Sequence, residues 1–221
     1  MTFALRAAAA AALLASLPAL SLAQSGMSPP VLATPAGTME VSPLVGFAFT
    51  GSGASLEHVT FINDGGSQVA TDTIKAGARD YLYAGAELRR TASPWALQAT
   101  VGYHWDTKEG DNGKITFART PVEVLGMYQV LPWLRMGAGL RHDFNVYMNG
   151  AGVANVPELR QEYTSSTGGV VKLEWYAVDN LGVELRFSKV NYHLRKVDGQ
   201  DPGVDYTADG RSFGVGATLH F

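Results

Sequence analysis

Residues 211–221 read Arg-Ser-Phe-Gly-Val-Gly-Ala-Thr-Leu-His-Phe. Phe213, Val215, Ala217, Leu219 and Phe221 alternate with Ser212, Gly214, Gly216, Thr218 and His220. A period of two puts one set on each face of an extended strand, one face apolar and one polar.

The same period recurs upstream. Leu181, Val183, Leu185 and Phe187 alternate with Gly182, Glu184, Arg186 and Ser188, and residues 95–106 alternate from Trp95 and Ala96 to Trp105 and Asp106. Leu134–Arg141, Val171–Tyr176 and Leu82–Arg89 repeat the pattern. Residues 39–49, with Pro43, and 116–129, with Pro121, read as strands without a clear phase, since proline is tolerated at strand ends and bulges. The pattern predicts an all-β fold of eight strands, each about ten residues long, the length of a tilted strand crossing a bilayer. Connections alternate between tight turns (Thr91–Pro94, Val130–Pro132, Asp179–Asn180) and long loops rich in Gly, Asp, Asn and Ser (Thr50–Ala78, Thr107–Ile115, Phe144–Thr167, Arg195–Gly210). This asymmetry predicts an eight-stranded antiparallel up-and-down transmembrane β-barrel over residues 39–221, with the long loops outside and the turns in the periplasm.

The polar faces hold Glu87, Arg89, Arg135, Arg141, Lys172, Glu174, Glu184 and Arg186 with glycines between them. Glycine suits a crowded interior better than a solvated strand face, and eight strands enclose only enough space for side chains. Charges in such a lumen must pair. This set has three acids and five bases, and Glu40 and Glu123 are the candidates to supply the missing negative charge. Aromatic residues form two expected interfacial belts: Trp95, Tyr128, Trp133, Trp175 and Phe221 near the short turns, and Tyr81, Tyr103, Trp105, Phe117 and Tyr192 near the long loops.

The first 23 residues differ in kind. Arg6, the apolar run Ala7–Leu17 and Ser21-Leu22-Ala23 predict a signal peptide cleaved between Ala23 and Gln24, followed by a periplasmic lead over 24–38. Over the 221 residues the net charge is −3, which offers no basic excess for nucleic acid. Cysteine is absent, so there is no disulfide framework or thiolate metal site.

On the alternating strands and the terminal stretch ending in Phe221, the chain resembles the small outer-membrane β-barrel proteins, the group of the OmpA transmembrane domain, OmpX and the opacity-type proteins. The resemblance implies outer-membrane localisation, contact with outer-membrane lipid and lipopolysaccharide, a monomer, and an extracellular ligand held by the long loops. It also makes Phe213, Val215, Leu219 and Phe221 the signal read by the barrel-assembly machinery. The implied role is structural or surface-interacting, in the manner of adhesin and serum-resistance proteins, without a wide pore. The alternative readings are a lipid A-modifying enzyme of the deacylase type and a narrow channel. For the enzyme, His142-Asp143 lies near the loop end of a strand, but that type has serine two residues after its histidine and position 144 is Phe, so no catalytic residue is assigned. The five histidines lack ligand spacing, though His104, His142 and His193 fall at the loop end, and no metal or cofactor is expected.

Overall fold

The structure, a computed structural model, describes residues 37–62, 68–110, 113–151, 158–178 and 180–221. Met1–Ala23, most of the lead and Asp179 lie outside the described residues. Among the described residues thirteen strands follow in order: β1 (Met39–Gly51), β2 (Ser55–Ile62), β3 (Gln68–Lys75), β4 (Arg79–Arg90), β5 (Trp95–Gly110), β6 (Gly113–Leu131), β7 (Leu134–Ala151), β8 (Glu158–Ser165), β9 (Gly168–Val178), β10 (Leu181–Lys189), β11 (Asn191–Val197), β12 (Thr207–Asp209) and β13 (Ser212–His220).

Eight of them close a ring. The antiparallel order is β1-β4-β5-β6-β7-β9-β10-β13, and β13 returns to β1 through the register Val45↔Leu219 to Gly51↔Phe213. Closure leaves no sheet edge, the condition for burying strands in hydrocarbon. All eight coincide with the strands legible in the sequence. The alternation fixes the faces: Phe213, Val215, Leu185, Phe187, Leu97, Val101, Leu140, Val171 and Leu173 all point outward and are exposed. At the short-turn end Trp95, Tyr128, Trp133, Trp175 and Phe221 also point outward.

The long connections differ from the expectation of loops. β5, β6 and β7 run for 16, 19 and 18 residues, well past a bilayer crossing. Above the rim, β7 exchanges β9 for β8: its last pairing with β9 is Arg141↔Gly168, and its first with β8 is Val146↔Tyr163. The change falls at Asn145, whose φ of 49° is a left-handed conformation that Asn tolerates. That bulge reverses the alternation, so Val146 and Met148 point inward where His142 and Phe144 point outward. β8, β11 and β12 extend the sheet beside it, and β2 pairs with β3 as a separate hairpin.

These extensions enclose a second interior. Ile74, Ala76, Ile115, Phe117, Val146, Met148, Tyr163, Val190, Tyr192 and Ala208 pack into one buried apolar cluster, a cap over the barrel's long-loop end. Ala54 N–H donates to Asp209 O (2.7 Å) and Ala76 N–H to Ala54 O (2.9 Å), continuing the cap past β12. Phe117 and Tyr192 therefore belong to the cap core and Tyr81 to the lumen, which corrects their expected place in an outer aromatic belt. Tyr103 faces outward as expected, and Trp105 stacks on it at 5.3 Å.

Candidate functional site

The lumen is filled by an alternating chain of charges. From the short-turn mouth upward it runs Arg89, Glu87, Arg135, Glu174, Lys172, Glu184, Arg186, Glu123, Arg141, Asp143, Arg119, six cations separated by five carboxylates. Every consecutive pair is an ion pair: 2.9 Å for Arg89–Glu87, 3.6 Å for Arg135–Glu174, and 3.4 and 3.3 Å from Lys172 to Glu174 and Glu184. Arg186 reaches Glu184 at 3.4 Å and Glu123 at 2.5 Å, and Arg141 reaches Glu123 at 3.2 Å and Asp143 at 2.7 Å. Arg135 also bonds Glu87, and Arg119 lies 3.6 Å from Asp143. All but Arg89 are almost fully buried. Alternation is what makes such burial tolerable, because each charge between the two ends has an opposite neighbour on both sides.

The strands explain the order. Glu87 and Arg89 lie on β4, Arg119 and Glu123 on β6, Arg135, Arg141 and Asp143 on β7, Lys172 and Glu174 on β9, and Glu184 and Arg186 on β10. Residues two apart on one strand point the same way, so Glu174/Lys172 and Glu184/Arg186 form intrastrand pairs that the neighbouring strands link. The eight residues singled out in the sequence all stand in this chain. Glu123 joins it, whereas Glu40 is exposed at the mouth, where it accepts a hydrogen bond from Thr91. Arg119 and Asp143 extend the chain beyond the charges that strand alternation marks in the sequence. Arg119 lies in the stretch without clear phase, although it shares the parity of Glu123.

Tyrosines and glycines complete the filling. The Tyr83 hydroxyl donates to Glu184 Oε2 (2.6 Å), which also accepts from Thr218 (3.1 Å). The Arg186 guanidinium lies 4.3 Å from the Tyr81 ring centre and 5.3 Å from that of Tyr83. Gly46 makes room for Tyr83, since a β-carbon there would stand 2.1 Å from the phenol ring. His104, fully buried, accepts at Nδ1 from Arg119 (2.8 Å) and Arg141 (3.2 Å), while Nε2 faces the Thr50 hydroxyl (2.8 Å).

The two ends differ. At the long-loop end the apolar cap covers the lumen. At the short-turn end a cavity of about 470 Å³ opens between Glu40, Glu87, Arg89, Arg135, Tyr176 and His220.

The other candidate chemistry does not converge. Strand alternation puts His142 outward, against Thr167 (3.3 Å), and Asp143 inward against Arg141, so the dipeptide is split between two faces. His193 faces outward against Thr207 (2.8 Å), and His104 is in the lumen. Among the described residues no cluster of three His, Cys, Asp or Glu is placed to hold a metal. Phe213, Val215, Leu219 and Phe221 form a stripe on the outer face of the strand that closes the ring, and Phe221 N–H donates to Pro43 O (2.9 Å).

The closed ring, the apolar exterior with its aromatic end belt and the ion-paired interior define an eight-stranded transmembrane β-barrel of the outer-membrane type. Among solved structures the chain is similar to Neisserial surface protein A, at 7% identity over 83% of this chain and 99% of that one, with a TM-score of 0.43. It is similar also to Ail, the attachment invasion locus protein of Yersinia pestis, solved with the heparin analogue sucrose octasulfate, at 11% identity over 84% and 99%, with a TM-score of 0.41. No family model and no curated protein matches the chain.

Proposed function

We propose that the protein is an integral outer-membrane barrel that displays a rigid β-structured cap for interaction at the cell surface and does not conduct. One observation carries this reading: above the short-turn mouth the lumen is filled by paired charges, and its long-loop end is covered by an apolar core. A channel needs a continuous wetted path, and an apolar cluster of aromatic and aliphatic side chains excludes one. Three barrel strands, β5, β6 and β7, continue into the cap, and β8 pairs with the upper part of β7, so these parts are held by the barrel's own ladders. In this reading Met1–Ala23 directs export, the cap faces the medium, and Phe213, Val215, Leu219 and Phe221 serve assembly. The partners are outer-membrane lipid, the assembly machinery and an extracellular ligand.

The test has two arms. The purified chain in planar bilayers is expected to give no steady ionic current, and its expression in a non-adherent Gram-negative host is expected to raise attachment to epithelial cells. A steady current would contradict the sealed lumen. Unchanged attachment would contradict the surface role.

A further inference from the structure

The outer face of the barrel is not uniform at the long-loop rim. On β10 and β13 the apolar ladder ends with Phe187 opposite Phe213. The register continues, through Ser188↔Ser212 and the bond from Gly210 N–H to Val190 O (2.9 Å), so the next outward pair is Lys189 opposite Arg211. Both are exposed. Two like charges facing each other across a strand pair repel unless a counter-charge joins them. Arg211 is paired with Asp209 (2.8 Å), but among the described residues Lys189 has no ion pair.

On its other side Lys189 faces Gly169. A β-carbon at Gly169 would meet nothing within 4 Å, so the outer surface has a gap there. The gap lies between Lys189 and Leu140, the next residue in register, which is 63% exposed. Val171, opposite Phe187, lies directly below it. The notch thus has apolar walls at Leu140, Val171 and Phe187 and a cationic flank at Lys189 and Arg211. Elsewhere the rim carries Tyr103 and Tyr147, whose hydroxyls lie 3.3 Å apart.

We propose that this notch is a binding site for one phosphate-bearing lipid of the outer leaflet. An acyl chain fills the gap at Gly169 against Leu140, Val171 and Phe187, and the phosphate bridges Lys189 and Arg211. The long side chains bury their stems along the apolar surface and present charge at headgroup level. A phosphate oxygen between them supplies the missing counter-charge through charge-assisted hydrogen bonds. This inference rests on the reading of the chain as a membrane-spanning barrel with its cap outside.

The test is native mass spectrometry of the mature chain, refolded in octyl glucoside and titrated with bisphosphorylated lipid A, with its dephosphorylated form and with inorganic phosphate. The wild type is expected to retain one bisphosphorylated lipid. Each cation near a lipid headgroup is worth about a fivefold change in binding, so the double variant Lys189→Ala/Arg211→Ala is expected to bind roughly 25-fold more weakly. Gly169→Phe, which fills the notch and leaves the charges, is expected to weaken binding at least tenfold. Arg79→Ala, an exposed cation elsewhere on the rim, is expected to leave it unchanged. Retention by the double variant equal to wild type would overturn the proposal, as would equal binding of the dephosphorylated lipid or displacement by inorganic phosphate at equal concentration. A chain that stays dispersed without detergent and shows no heat-modifiable band would instead overturn the barrel reading itself, together with the site.

Discussion

The hydroxyl of Tyr192, in the cap core, donates a 2.5 Å hydrogen bond to Oδ2 of Asp143, near the upper end of the lumen charge chain. Arg141 holds the same carboxylate at 2.7 Å and Arg119 lies 3.6 Å from it. The apolar and ionic halves of the interior thus meet at one carboxylate. The Tyr192 ring has its place because Gly210 lacks a side chain: a β-carbon there would stand 2.2 Å from the ring.

Tyr192→Phe keeps the ring and removes the bond, leaving Asp143 with its two arginines. The expected loss is about 1–2 kcal/mol, measured by urea unfolding in detergent or vesicles. Gly210→Val displaces the ring itself and is expected to cost more, about 1–3 kcal/mol from overpacking. A larger effect from Tyr192→Phe than from Gly210→Val would show that the bond, and not the packing, holds the cap.

Glu123 separates Arg186 from Arg141 in the charge chain. Glu123→Gln leaves two buried guanidinium groups with no carboxylate between them, Arg186 keeping only Glu184 and Arg141 only Asp143, and the expected destabilisation is about 3–5 kcal/mol. Leu185→Arg puts a charge on the outer face between Leu173 and Val215, its cross-strand partners, at an expected cost of roughly 2–4 kcal/mol near the midplane. Equilibrium unfolding in phosphatidylcholine vesicles compares the two. A neutral Leu185→Arg would mean that this face does not meet lipid.

The β2–β3 hairpin is tied to β5 by the 2.8 Å ion pair between Asp72 and Lys108. The hydrogen bond from Lys108, helped by the Thr73 N–H and opposed by partial burial, holds the Asp72 carboxyl below its ordinary value of 3.8. A carboxyl lowered on folding stabilises the folded form above its unfolded value, and that contribution is lost as the pH falls through the folded value. Amide protection at Asp72–Ile74 is therefore expected to be constant from pH 7 to pH 5 and to fall below 3.8. Asp72→Asn should abolish this dependence. Protection in the wild type that is insensitive to pH down to 2 would remove the ion pair as an anchor.

The barrel was legible because most of its strands have chemically distinct faces. Leu181–Ser188 and Ser212–Phe221 put apolar side chains on one face only, and burial alternates with them through Leu181–Ser188 and Ser212–Val215. Met39–Phe49 and 116–129 resisted because both faces are apolar. Leu44 and Ala48 point into the lumen while Val41, Val45 and Phe49 face out, and Leu125 and Met127 point in while Val122 and Val124 face out. That ambiguity also hid Arg119. The cap was illegible for another reason: Gly, Asp and Asn in 107–115 and 144–167 read as loops, and the reversal of alternation at Asn145 breaks the period that would have exposed Val146 and Met148. Aromatic residues cannot be sorted by type, since Tyr103 lies in the outer belt and Tyr81, one register step away on the neighbouring β4, lies in the lumen.

Phe221 ends the strand that closes the ring, 69% exposed and bonded through its N–H to Pro43. Its deletion is expected to slow assembly several-fold while leaving the assembled barrel's thermal shift in gels intact. Pulse-chase export followed by heat-modifiability measures both. Assembly at the wild-type rate would remove Phe221 from the assembly signal.

The central claim is that the barrel spans the outer membrane with its cap outside. The chain has no cysteine, so single cysteines report position without background. Glu109→Cys lies on the cap and Asn180→Cys beside a short turn, both at exposed positions. Intact cells treated with a membrane-impermeant maleimide are predicted to label Glu109→Cys fully and Asn180→Cys only after the outer membrane is opened. Labelling of Asn180→Cys alone on intact cells would invert the orientation, and failure of both to label with the chain in a soluble fraction would contradict the membrane-spanning barrel.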